Sequence, residues 1–185
     1  MLRGIDFYNH FLPKVKAYPN ITWVQEEVTH IEEQENEVWV TTPSQTHTGK
    51  KVFSSLYDAS IPLGQKEFPV LQQHFLGWFV KTEEPVFNPD EVTFMDFTIP
   101  QKGNTRFMYV LPISDTEALV EYTLFSEHLL EKTEYEEAIK NYIKEKYNNT
   151  QYTIVETEFG SIPMTCYPFH QHNTDHIFHI GVAGG

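Results

Sequence analysis

The sequence predicts an α+β fold built on a mostly antiparallel sheet with one clear helix. Three observations carry this. Short runs rich in Val, Ile, Phe, Tyr, Trp and Thr follow one another, bounded by Gly, Pro, Asn and Asp. A single stretch, at about 134–147, places apolar residues at helical spacing. Aromatic residues make up 15% of the 185 residues, with 14 Phe and 10 Tyr. Such an excess suits a β-rich core or a pocket for a large flat or conjugated ligand.

Taken in order, residues 21–24 and 28–31 begin the β pattern, and 37–42 follows a polar turn at Glu35-Asn36. Gly49 precedes a further strand over 51–59 with an acidic end. Pro62, Gly64 and Pro69 punctuate 61–68, the best place for the chain to cross between domains. Four strands are expected over 73–82, 92–99, 106–111 and 118–125. Pro85, Asn88-Pro89, Gly103-Asn104 and Ser114-Asp115 turn the chain between them. In the helix, Thr133 is placed to be the N-cap, with Glu136 completing a capping box. Tyr135, Ala138, Ile139, Tyr142 and Ile143 form the stripe that packs on the sheet. Strands over 152–159 and 177–180 close the pattern, and the last runs into Gly181-Val182-Ala183-Gly184-Gly185. No element is read ahead of residue 21. Arg3-Gly4-Ile5-Asp6-Phe7-Tyr8 opens abruptly and lacks the apolar run of a signal peptide. Both ends are read as lying inside a longer chain.

Composition excludes several classes. The net charge of −13 is the opposite of a nucleic-acid footprint. The single cysteine, Cys166, allows no intrachain disulfide framework. No run approaches the roughly 18 apolar residues of a membrane span. His170, His172, His176 and His179 lie near Cys166 and Asp175, but their spacing matches no zinc pattern. No metal site is expected. Neither GxGxxG nor GxxxxGK[ST] occurs.

Two acids stand out. In the strand over 118–125, alternation puts Leu119, Glu121, Thr123 and Phe125 on one face and Ala118, Val120, Tyr122 and Leu124 on the other. Glu121 thus interrupts an apolar face. If buried, its carboxyl is pushed toward neutrality, which makes a proton donor; if the face is open, it is a solvated glutamate. Asp96 sits between Met95 and Phe97, and alternation groups it with Phe94 and Thr98. It is placed to pair with Glu121 or Arg106, or simply to bond backbone at a strand end.

Together the segments resemble the flavin-dependent lycopene cyclases, the lycopene β-cyclase type in particular. Gln73-His74-Phe75-Leu76-Gly77-Trp78-Phe79-Val80-Lys81-Thr82 is similar to a stretch of that family. Val92-Thr93-Phe94-Met95-Asp96-Phe97 resembles its MDF/MDW element. Arg106-Phe107-Met108-Tyr109-Val110-Leu111-Pro112 resembles its FxYxLP element. Ala118-Leu119-Val120-Glu121-Tyr122-Thr123 is similar to its acidic element, and Glu158-Phe159-Gly160-Ser161-Ile162-Pro163-Met164 to its E-x-G-x-I-P element. Gly181 to Gly185 resembles its G-x-A-G-G, and Arg3 to Tyr8 an interior family segment. The order and rough spacing agree across nearly the whole chain. There are departures: the family's N-terminal Gly-rich loop is absent, and Tyr122 stands where relatives often carry a second acid.

The resemblance implies a flavoprotein-hydroxylase-like fold. Residues 1–60 and 165–185 would belong to an FAD-binding α/β domain, and 61–164 to a substrate domain that faces a carotenoid. It implies cycloisomerisation of lycopene ends to β-ionone rings, started by an acid and involving no net redox change. Reduced FAD is required and not consumed. The acid role falls on Glu121 alone, since Tyr122 replaces the second acid; Asp96 is kept from the residue reading as a second candidate that orients the site. Gly181, Ala183, Gly184 and Gly185 take flavin contacts, although the chain without a Gly-rich loop is not expected to retain FAD. The expected partner is lycopene or a related carotenoid, with no nucleic acid. The expected location is cytoplasmic, with peripheral contact on the inner face of a membrane. A non-catalytic carotenoid- or lipid-binding β domain, or a piece of another flavoprotein monooxygenase, remain as alternatives.

Overall fold

The computed structural model describes residues 4–148 and 150–185, so Arg3 of the opening segment lies outside the described residues. The chain forms two compact units. One holds the chain up to Ile61 together with Tyr167–Gly185; the other is Pro62–Cys166.

The first unit opens with a helix that the β-centred reading above did not expect, α1 (Gly4–Lys16). Ile5, Tyr8, Leu12 and Val15 recur at helical spacing. Asp6 in the first turn and Lys14 and Lys16 in the last suit the helix dipole. A three-stranded antiparallel sheet follows: β1 (His30–Gln34), β2 (Glu37–Thr41) and β3 (Thr46–Gly49), in that spatial order. Residues 21–24 form no strand, contrary to their β-rich composition. Trp23 and Val24 stay 52% and 45% exposed. Propensity makes a strand only where a partner pairs with it and a face is covered. Conversely, polar β3 is a strand because β2 pairs with it along its whole length. β4 shrinks to Val52–Ser54, since its parallel partner β10 (Ile177–His179) offers only three residues. A short helix, α2 (Ser60–Leu63), follows.

The second unit is a five-stranded, wholly antiparallel sheet with one helix on one face. Its strands are β5 (Val70–Thr82), β6 (Thr93–Asp96), β7 (Arg106–Pro112), β8 (Glu117–Ser126) and β9 (Tyr152–Thr165). Their spatial order is β6-β7-β8-β5-β9. β9 runs past residue 159 to pair with all of β5. It passes through Pro163, a residue that sheets tolerate on edge strands such as β9.

The helix α3 (Lys132–Lys146) covers the face formed by Leu76, Trp78, Val80, Met108, Val110, Val120, Tyr122 and Leu124. Tyr135, Ile139, Tyr142 and Ile143 are the buried stripe, each apolar side chain worth about 1.5–3 kcal/mol when fully covered. The expected capping box does not form. The helix starts two residues earlier, with Glu131 at the N-cap and no side-chain cap bond, so Thr133 lies inside the first turn.

Under α3 lies a closed polar chain. His74, fully buried, bonds Tyr135 Oη through Nδ1 at 2.5 Å and Ser126 Oγ through Nε2 at 2.7 Å. The Leu130 N–H donates to Tyr135 Oη, and the Ser126 hydroxyl donates to the His128 carbonyl. Burial, with Arg106 nearby, holds the His74 imidazole below its ordinary range, so it is neutral. Tyr135 then donates to Nδ1 and Nε2–H donates to Ser126, which satisfies every member.

Candidate active site

The face of the five-stranded sheet turned away from α3 is rich in aromatic residues and carries Glu121. Alternation along β8 holds: Ala118, Val120, Tyr122 and Leu124 belong to the core under α3, and Glu121 projects from the other side. Around it, Phe107 and Tyr109 of β7 meet edge to face at 5.1 Å. Phe94 and Phe125 extend that ring series at 5.3 and 6.3 Å. Leu119 and Phe79 are register partners on the same face.

Glu121 is only partly open to solvent. Burial pushes its carboxyl up to about 7, opposed by the Thr123 hydroxyl, which donates to Oε1 at 2.8 Å, and reinforced by the hydrogen bond its own O–H donates to the Glu158 carboxylate and by the charge of Glu158. The Tyr109 phenol is raised by burial and by the neighbouring Glu121. An acid near neutrality among aromatic rings can protonate a substrate that offers no polar handle.

Glu158 is the residue that the sequence reading did not single out. Gly77 of β5 is the register partner of Glu121 on one side and of Glu158 on the other. Tyr122, which stands where relatives often carry a second acid, points to the opposite face, where it accepts a 2.8 Å bond from Arg106. A carboxylate does stand beside Glu121, on another strand. The only local signal for it was the Glu158 that opens the E-x-G-x-I-P element.

Asp96 is not brought to Glu121. Met95 adopts φ +59, and the β6–β7 register slips between Thr93 and Asp96. This left-handed residue breaks the alternation that grouped Phe94 with Asp96. Phe94 stays with the aromatic face, while Asp96 turns under α3. There it accepts from the Thr98 N–H and hydroxyl at 3.0 and 2.6 Å and from Tyr142 at 2.8 Å, with Lys146 at 3.5 Å. The Thr98 hydroxyl foremost, then the Thr98 amide, Tyr142 and Lys146, holds it down at about 2 against its own desolvation. Nor does it pair with Arg106, which instead bonds Tyr122, Asn104 and Glu134. A cavity of about 310 Å³ lies on this helix side, lined by Ile99, Met108, Tyr122, Glu134 and Tyr142 among others.

In the first unit, the parallel strands β4 and β10 end beside a cavity of about 280 Å³ lined by Tyr57, Asp58, Phe169, His172, His179 and Ala183. Carboxyl ends of adjacent parallel strands are where open α/β sheets receive ligands. Gly181–Ala183 makes one tight turn here, with Gly181 at φ +60. A Cβ on Gly184 would stand 2.5 Å from the His179 carbonyl oxygen, so the turn admits only glycine at that position. The histidines are dispersed: His172 bonds Tyr167, His176 bonds Glu33 and His179 bonds Asn173. Among the described residues, no three ligating side chains converge.

Residues 11–185 match the family model for lycopene cyclase protein. The chain belongs to the lycopene cyclase family. The match takes in all three sheets and every residue of the aromatic face, Glu121 and Glu158 included. No curated protein matches this cyclase-family chain. Among solved structures it is similar to a geranylgeranyl bacteriochlorophyll reductase-like protein from Thermoplasma acidophilum, at 12% identity and a TM-score of 0.61, covering 97% of this chain and 47% of that one. It is also similar to a triple mutant of the flavin-dependent brominase Bmp2, at 13% identity and a TM-score of 0.56, covering 100% and 50%. The chain thus spans about half the length of the solved structures it matches. These likenesses show the fold, which is the flavoprotein-hydroxylase-like α+β fold. Among the described residues, no helix is long and apolar enough to cross a membrane.

Proposed function

We propose that this chain carries the substrate-protonating part of a lycopene β-cyclase, with Glu121 as the acid. The observation that supports this best is the Glu121 carboxyl raised to about 7 in the middle of an aromatic sheet face. On this reading Pro62–Cys166 holds the carotenoid and the other unit contributes to flavin binding. A ψ end of lycopene lies against the aromatic face. The Glu121 O–H protonates its terminal double bond, the neighbouring double bond closes the six-membered ring, and loss of a proton sets the β-ionone double bond. Aromatic faces stabilise such a cation by about 0.5–2 kcal/mol each. A substrate without polar groups explains why the face offers so few polar contacts. Because such a substrate is stored in lipid, the intact protein would meet a membrane peripherally, at its cytoplasmic side.

The turn at Gly181–Gly185 and the cavity beside it suit a flavin: the backbone approaches closely, and Ala183 lines the space. Gly181, Ala183, Gly184 and Gly185 would hold it there. Reduced flavin would supply an electron-rich partner that the isomerisation does not consume.

The test is turnover of lycopene by the intact protein with reduced FAD. Glu121→Gln should bind the polyene yet lose ring closure by roughly 10²–10⁴-fold, the usual worth of general acid catalysis. Asp96→Asn, on the far face, serves as a control with a milder effect. Near-normal turnover in Glu121→Gln would refute the reading.

A further inference from the structure

One row crosses the sheet as Tyr109, Glu121, Gly77 and Glu158 on β7, β8, β5 and β9. The two glutamates sit two strands apart, about 10 Å between backbones. They reach each other because the residue between them has no side chain. A Cβ built on Gly77 would stand 2.9 Å from Glu158 Cγ and from Leu119 Cδ1, and 3.0 Å from Glu158 Oε1. Glu158 therefore lies across the space that any other residue at position 77 would fill, and its carboxyl hydrogen-bonds that of Glu121. A hydrogen bond between two carboxyl groups requires one proton between them.

We propose that Glu121 and Glu158 form one carboxyl pair across Gly77, in which Glu158 is the positioning residue that keeps the transferable proton on Glu121. This rests on the cyclase reading above. In the resting pair, the Glu121 O–H donates to the Glu158 carboxylate. When the polyene is protonated, the O–H bond of Glu121 breaks and a C–H bond forms at the terminal double bond. The next double bond supplies the electron pair of the new ring C–C bond. The cyclic cation then releases a proton from an adjacent carbon, the C–H electrons become the ring double bond, and the proton returns to the pair. No electrons are gained or lost overall.

The surroundings leave Glu158 as the partner that matters. Facing Glu121 are the Tyr109 phenol from β7, the Thr123 hydroxyl on its own strand and Glu158 from β9; β5 contributes only Gly77. Farther along the same face stand Glu156 and the Lys81–Glu117 ion pair, which closes on itself at 2.7 Å. The helix α3 lies on the opposite face.

The experiment is a pH titration of ¹³Cδ-labelled glutamates in this chain, paired with the pH–rate profile of the intact protein. In the parent, Glu121 should titrate near 7. In Glu158→Gln its midpoint should fall by at least about one pH unit, a tenfold loss of proton affinity. Gly77→Ala should move it the same way by displacing Glu158, and circular dichroism confirms that each variant is folded. The alkaline limb of the rate profile should move with it. A purely structural Glu158 would lower the rate and leave both midpoints in place. An ordinary Glu121 midpoint in the parent, or an unmoved midpoint in the folded variants, overturns the pair. The cyclase reading fails separately: an active Glu121→Gln would sink it even if the titrations behaved as stated.

Discussion

Glu121→Gln should make the folded chain more stable at alkaline pH, an unusual outcome for a substitution at an active site. The glutamine keeps the shape. Its carbonyl accepts from Thr123, and its amide donates to Glu158 as the protonated acid does. What it removes is the cost of a buried charge. The folded carboxyl is raised from its ordinary 4.5 to about 7. The unfolded chain releases this proton near 4.5, whereas the folded chain keeps it until about 7. Stability from this group is therefore fully present below 4.5 and lost as pH rises through 7. A gap of about 2.5 pH units at about 1.4 kcal/mol each sets a ceiling of about 3.5 kcal/mol. Because Glu121 is partly open to water, screening reduces this to about 1–2 kcal/mol. Urea unfolding of parent and variant at pH 4.5 and pH 8 measures it. Trp78 fluorescence would report in a background with the exposed Trp23 and Trp39 changed to Phe. Titrations of groups that do not touch position 121 cancel in the comparison. The variant should match the parent at pH 4.5 and exceed it at pH 8. A difference that does not change with pH, or a variant that is weaker at pH 8, would refute the burial argument.

Gly160→Ala should destabilise the sheet by about 1–3 kcal/mol, because its Cβ would meet Phe75 Cζ at 2.4 Å; adding Phe75→Leu should recover most of that loss in a double-mutant cycle of unfolding energies. Tyr135→Phe should cost about 1–3 kcal/mol, since it leaves His74 Nδ1 and the Leu130 N–H without their partner under α3. A thermal melt within a degree of the parent would show that water or a local shift replaces that hydroxyl.

The sequence by itself determined what depends on neighbours within a turn or a strand. The period of two along β8 sorted its side chains into two faces, and the 3.6-residue stripe from Tyr135 to Ile143 told which face of the helix is buried. An acid interrupting Leu119, Thr123 and Phe125 marked Glu121. The same local logic extends to α1, whose apolar residues recur at helical spacing ahead of the strand-like runs. It failed where a single residue broke the period: Met95 in the left-handed region moved Asp96 to the other face of the sheet. It failed also at residues 21–24, where β-prone residues found no strand to pair with. The meeting of Glu121 with Glu158 was decided only by tertiary structure. Strand order β8-β5-β9 and the registers on both sides of Gly77 place those carboxyls together. Hydrogen-bond register between distant segments has no local signature, because each strand alternates in the same way whichever partner it meets and in whichever register.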